Sequence, residues 1–284
     1  MTIFRGKNTN TFDDLIGLKE VKKFIRDRQT LMESNLSFAP QNGIGILLYG
    51  FPGTGKSAAV HAIANELNIP LYQFSLWGTR GKETGDPAER LRQLFDEAHA
   101  NSASLICFED LHDYCAGLLK DRVQCVEFVT ELICQMGKIY TTKNNIWVLA
   151  TSNKPWLIDP ALLRAGRFGN HIYVPLHNHQ ERVLLVEKEL KNVPVDRSVE
   201  VDRISDLMKG YTSVDIVSVV SQAKMAAINR TMRLRDGGQQ ECSPVSFDDF
   251  AEVMANYKRM VEPEDVVQMR RFAMKIGQKI SDEM

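Results

Sequence analysis

The 284-residue sequence predicts an α/β fold: a parallel sheet with helices on both faces, followed by a small all-helical lid domain. Three observations predict it. Up to about residue 176, short continuous apolar runs alternate with helical patterns. The first run passes through a glycine-rich turn into a helix. Beyond about residue 178 the strand pattern stops. Apolar runs too short for helices, bounded by turn residues, are strands buried on both faces, as a helix-covered parallel sheet requires.

The runs are Ile44–Tyr49, Leu71–Phe74, Leu105–Phe108, Ile146–Ala150 and Ile172–Val174. Helices are expected over 178–192, 200–209, 213–233, 247–258 and 263–279, with Asp236-Gly237-Gly238 as a break and Ser246 with Asp249 as a capping box. The implied domains are a tail at 1–11, an α/β domain at 12–176 and a helical lid at 177–284.

Composition narrows the function. Lys plus Arg is 35 against Asp plus Glu 36, so the chain lacks the basic excess of a protein held to nucleic acid by its surface. No apolar stretch reaches the roughly 18 residues of a membrane span, and MTIFRGKNTNTFDD lacks a secretory core. Five cysteines, an odd number with no CxxC pair, read as reduced thiols in a cytoplasmic, intracellular setting. The six histidines form no ligand cluster, and no structural metal is expected.

Gly50-Phe51-Pro52-Gly53-Thr54-Gly55-Lys56-Ser57 fits GxxxxGK[ST] between an apolar strand and a helix opening at Ser57-Ala58. Its backbone amides would curl around phosphate oxygens at the positive end of that helix. Lys56 would reach the β- and γ-phosphates, and Ser57 would ligate magnesium. The run to Phe108 ends in Glu109-Asp110, either a magnesium-binding acid with a water-activating base or a helix cap supplied by Asp110. The run to Ala150 leads into Thr151-Ser152-Asn153, whose amide would orient a water. Arg164 and Arg167 follow near a turn, either to reach a phosphate or as solvated surface charges. His112 stands two residues past Asp110, either to tune that acid or as a satisfied polar residue.

In this order and spacing the motifs resemble the AAA+ ATPases, and within them the AAA clade of Cdc48, katanin, spastin and the ESCRT-disassembling ATPases. The resemblance begins at Thr11-Phe12-Asp13-Asp14-Leu15-Ile16-Gly17-Leu18 and continues through the phosphate loop and Thr151-Ser152-Asn153-Lys154-Pro155. It takes in Asp159 to Phe168 and Gly210-Tyr211-Thr212-Ser213-Val214-Asp215-Ile216, and closes over Val261 to Asp265 and Phe272 to Gly277. It implies a P-loop NTPase fold, usually assembled as a hexameric ring with ATP between neighbours. Lys56 and Ser57 match the Walker A pair, Glu109 and Asp110 the Walker B acids, and Asn153 sensor 1. Arg167 matches the arginine finger that acts on the next subunit's ATP. Ile16 and Gly17 would lie against adenine, and Ser213 and Val214 at the nucleotide on the lid side.

The sequence departs from the family at several of these places. The acidic pair is reversed, Glu109-Asp110 for Asp-Glu, which leaves the base one methylene shorter. Asn170 stands where a second arginine finger belongs, and Ser213-Val214 replaces Gly-Ala. In the pore-loop segment Lys82 to Pro87, the aromatic position is Glu83, which lacks the apolar grip of a ring. Trp77 is the nearby aromatic, read as packing. The ten residues before Thr11 hold no counterpart of the usual recruiting domain; recruitment is left to a partner, to the tail Thr2–Lys7, or to sequence outside this one, and the tail itself reads as a frayed end.

The expected function is therefore a Mg-ATP-hydrolysing homo-oligomer that remodels, unfolds or disassembles protein complexes with a protein client or adaptor. The alternative is a slow, nucleotide-gated scaffold that regulates a partner through ATP-dependent assembly.

Overall fold

The computed structural model describes residues 2–4, 11–34, 43–74, 86–116, 122–141, 144–233 and 243–280. Its described residues group into two compact units. One holds those up to Gly50, Gly55–Val174 and Gln268–Lys279; the other holds Phe51–Thr54, Pro175–Val267 and Ile280.

The first unit is built on one sheet. Its strands are β1 (Thr2–Phe4), β2 (Ile44–Tyr49), β3 (Leu71–Phe74), β4 (Ala103–Phe108), β5 (Asn145–Ser152) and β6 (Asn170–Tyr173), in the order β1-β3-β4-β5-β2-β6. The five strands β2 to β6 are parallel, as the apolar runs predict. Helices α1 (Lys19–Glu33), α2 (Lys56–Glu66), α3 (Pro87–His99), α4 (Leu111–Cys115) and α5 (Arg122–Ile139) accompany them.

Side chains alternate across a strand, so each buried strand feeds two cores. Ile46, Leu48, Leu105, Trp147 and Leu149 pack with Val21, Ile25, Ala59 and Ile63. Elsewhere Phe108 closes an aromatic cluster with Phe74, Tyr114, Phe128 and Phe168, with ring centroids 5.6 to 6.4 Å from its own. This double burial leaves the polar ends of β4 and β5 as the places where chemistry emerges.

One expectation is corrected. The N-terminal tail is not wholly frayed: Thr2–Phe4 pairs antiparallel with β3, Thr2 opposite Gln73 and Phe4 opposite Leu71. Three residues are too few to show a strand period; the open edge of β3 supplies the partner.

The second unit is helical, with α6 (His179–Leu190), α7 (Val201–Leu207), α8 (Ser213–Arg233), α9 (Phe247–Asn256) and the first turn of α10 (Pro263–Lys275). The expected capping box of Ser246 with Asp249 starts α9, and Asn178 with Glu181 starts α6 in the same way. Asp215, fully buried, accepts from the Thr212 amide at 3.0 Å, the Thr212 hydroxyl at 2.9 Å and the Tyr257 hydroxyl at 3.0 Å. That set of donors lets a carboxylate sit in a core. Asp236-Gly237-Gly238, Trp77, Lys82 and Glu83 lie outside the described residues.

The end of α10 belongs to the first unit. Tyr49 donates its hydroxyl to Gln278 Oε1, and Gln278 Nε2 donates to the His171 carbonyl at 2.7 Å. The Phe272 ring meets Tyr49 edge-on at 5.2 Å.

Candidate functional site

The glycine-rich turn leaves β2 at Gly50 and enters α2 at Gly55, whose φ of 92° is a left-handed conformation that glycine adopts without strain. A glycine at this cap puts no side chain over the first turn of α2, and a Cβ there would meet nothing within 4 Å. A bare helix end of this kind takes an anion on its amides. Ser57 is exposed in that first turn, with Ala58 half-buried beside it.

Lys56 is buried, and its Nζ donates to the Gly50 carbonyl at 3.0 Å. Burial pulls its pKa down from 10.5 to about 8, against the opposing attraction of Asp110. Burial disfavours the ammonium, and a bound phosphate would stabilise it.

Pro52, Gly53 and Thr54 lie in the second unit's group of residues. Thr54 Oγ1 donates to the Phe51 carbonyl at 2.9 Å, and the Val214 amide donates to the Gly53 carbonyl at 3.3 Å. Gly53 has φ 71°, and a Cβ on it would stand 2.9 Å from Thr212 Oγ1 and 3.1 Å from the Val214 Cβ. Ser213 turns its hydroxyl to His177 Nε2 at 2.9 Å. Val214 and Gly53 are thus in contact within the second unit.

In the first unit, the tips of β4 and β5 are stitched together. The Asp110 amide donates to Thr151 Oγ1 at 3.0 Å, and Asn153 Nδ2 donates to Asp110 Oδ1 at 2.9 Å. Ser152 Oγ and His112 Nδ1 are 3.1 Å apart. Asp110 has φ 48°, and its side chain makes no cap bond to α4, so of the two roles open to it capping is not the one its carboxylate performs. Burial raises its pKa, while His112 and Lys56 oppose the rise and Asp113 adds to it. Asn153 Oδ1 is buried without a hydrogen-bond partner among the described residues. Glu109, half-buried, stands beside this cluster at the end of β4.

Lys56, Asp110 and Asn153 are thus brought together. Ile16 and Gly17 form a separate turn ahead of α1, with Gly17 at φ 75° and Leu15 accepting from Lys22 Nζ at 2.6 Å. Arg167 lies apart as well. Its guanidinium NH1 donates to the Ala161 carbonyl at 2.5 Å, while Arg164 is exposed. Asn170 serves the sheet: its Nδ2 donates to the Gly45 carbonyl at 2.9 Å. The sequence reading of the site passed over Thr151 and Ser152, whose only signal was their position at the strand exit.

The residues fit Mg-ATP. Lys56 is buried at the start of α2, the helix end is bare, and Ser57 and Glu109 are hard oxygen donors of the type magnesium takes. Among the described residues no group of three or more His, Cys, Asp or Glu forms a metal cage.

Residues 46–176 match the ATPase family associated with various cellular activities (AAA). Over 276 residues the chain is 27% identical to a cell division cycle protein 48 homologue of Archaeoglobus fulgidus, covering 91% of this chain and 37% of that protein. Over 230 residues it is 29% identical to the ATP-dependent zinc metalloprotease FtsH 2 of Bdellovibrio bacteriovorus, covering 78% of this chain and 37% of that one. The chain therefore spans well under half the length of these relatives. A katanin structure solved to explain katanin self-assembly shares the fold at TM-score 0.74 and 24% identity, with 94% of this chain and 91% of that one covered.

Proposed function

We propose, from the match of residues 46–176 to the AAA family of ATPases, that this chain hydrolyses Mg-ATP as a homo-oligomeric ring to remodel protein complexes. The observation that carries the reading is the grouping of the buried Lys56 with Asp110 and Asn153 at the ends of adjacent strands.

Lys56 holds the β- and γ-phosphates, with the amides of Gly53, Thr54 and Gly55 around them and Pro52 shaping the turn. Ser57 and Glu109 would hold magnesium, which would supply positive charge beside the phosphates. Asp110 accepts a proton from the attacking water, and its raised pKa makes it a stronger base than an exposed aspartate. Asn153 holds Asp110 through Nδ2 and turns its unpartnered Oδ1 to the water. Ile16 and Gly17 flank adenine. Arg167, once released from Ala161, reaches the neighbour's phosphate. No helix among the described residues is long and apolar enough to cross a membrane. The described cysteines are free thiols, in keeping with a cytoplasmic setting.

The test is steady-state ATP hydrolysis against protein concentration, with Arg167→Ala and Asp110→Asn alongside. Specific activity should climb with concentration, collapse in Arg167→Ala, and fall by roughly 10²- to 10⁴-fold in Asp110→Asn. Turnover that is negligible at every concentration, with tight ATP binding, refutes the working ring. It leaves the nucleotide-gated scaffold, the reading that the shorter base and Asn170 favour.

A further inference from the structure

An aspartate in the base position reaches one methylene less far than a glutamate, so its aim depends more on what surrounds it. Three consecutive residues leaving β5 each bond to the segment that follows β4. Thr151 accepts from the Asp110 amide, Asn153 donates to the Asp110 carboxylate, and Ser152 meets His112. The first two touch Asp110 directly. The third is fully buried at Ser152, and His112 is only 5% exposed. Its Nδ1 edge also faces Asp110 Oδ1 at 3.9 Å, while its Nε2 lies 3.3 Å from Asp113 Oδ1.

Asp113 Oδ1 lies 3.3 Å from Nε2 and favours the tautomer with its proton there. Nδ1 then accepts, and Ser152 donates its hydroxyl to it; Ser152 Oγ in turn accepts the Lys154 amide at 3.2 Å. The charged groups facing the ring are Asp113 on its own helix, Asp110 at the end of β4, Lys154 after β5 and Lys56 on α2. The contact of α4 with α5 is apolar, through the Tyr114–Phe128 stack at 5.1 Å. Burial lowers the pKa of the imidazole and keeps it neutral near pH 7.

We propose that His112 is a positioning residue for Asp110: its Nδ1 lone pair, held by Ser152 and 3.9 Å from the Asp110 Oδ1 that Asn153 bonds, leaves that oxygen to Asn153. It rests on the reading of Asp110 as the water-activating base. An imidazolium in its place would draw the carboxylate off Asn153 by charge.

Two measurements on the full chain test it. In ¹⁵N NMR of the imidazole at pH 7, His112 should appear as one neutral species with the proton on Nε2, and Ser152→Ala and Asp110→Asn should each move its signals. A proton on Nδ1, an imidazolium, or signals indifferent to Asp110→Asn overturns the proposal. In steady-state ATP hydrolysis, His112→Leu should lower kcat by roughly ten- to a hundredfold at nearly constant KM, the scale of a small misalignment of a reacting group. His112→Asn, which keeps an acceptor near the Nδ1 position, should recover most of that loss. Equal loss in both variants, or no loss in either, overturns it. Ser152→Ala stands in should His112→Leu not fold, with the same kcat loss expected. A wild-type chain without turnover removes the base assignment, and the NMR measurement still decides whether His112 is coupled to Asp110.

Discussion

Replacing Lys56 with methionine should stabilise the ligand-free protein while abolishing its response to ATP. The side chain is 6% exposed, and its pKa falls from the ordinary 10.5 to about 8. At 1.36 kcal/mol per pH unit, that difference is about 3 kcal/mol against the charged form. The substitution also removes the bond from Nζ to the Gly50 carbonyl, which offsets roughly 1 kcal/mol. Methionine fills much of the same volume, so a net gain of about 2 kcal/mol is expected at pH 7.

The sign follows from proton linkage. Between pH 8 and 10.5 the unfolded lysine binds more protons than the folded one, so wild-type stability rises with pH in that window. The penalty is complete below pH 8 and gone above 10.5; the advantage of Lys56→Met should fade across the same range. Urea unfolding at pH 7, 8, 9 and 10 without nucleotide measures it. With Mg-ATP at a hundred times Kd the wild type should gain about 2.7 kcal/mol and the variant nothing. A variant less stable than wild type at pH 7, or a difference that does not change with pH, refutes the reasoning.

Other substitutions test the surrounding structure. Asp215→Ala strands the Thr212 amide and hydroxyl and the Tyr257 hydroxyl in the second unit's core, and should cost about 2–4 kcal/mol in urea unfolding; a loss below about 1 kcal/mol would show that these donors find other partners. Gly53→Ala must hold φ 71° and press a Cβ to 2.9 Å from Thr212 Oγ1, so roughly 1–3 kcal/mol should be lost. Gly55→Ala, with open space around its Cβ, should cost only the backbone strain of about 1–2 kcal/mol, and equal losses at the two glycines would contradict the steric account. Asn170→Ala removes the bond to the Gly45 carbonyl and should lower thermal stability by about 1 kcal/mol without a change in ATP affinity; weakened ATP binding would place Asn170 at the nucleotide instead.

Much of this was legible in the sequence. Strands buried on both faces leave unbroken apolar runs, so Ile44–Tyr49, Leu105–Phe108 and Ile146–Ala150 announce themselves and their parallel order. Glycine, lysine and serine at fixed spacing were legible as a candidate phosphate cradle, the glycines for the backbone, the lysine for charge and the serine for its oxygen. The two carboxylates at the tip of β4 were equally visible, but not that the Asp110 side chain leaves the start of α4 uncapped, since a cap and a base need the same residue type.

What only the tertiary structure decided are the contacts between segments distant in the chain. Thr2–Phe4 becomes a strand because β3 has an open edge. Gln278 bonds Tyr49 and His171, although its own neighbourhood reads as one more turn of a C-terminal helix. Above all, Thr151, Ser152 and Asn153 acquire meaning from a register that sets Phe108 opposite Ala150. That pairing delivers three side chains in succession to Asp110 and His112. Local composition records which groups a residue carries; sheet register, a non-local property, selects the partner each group meets.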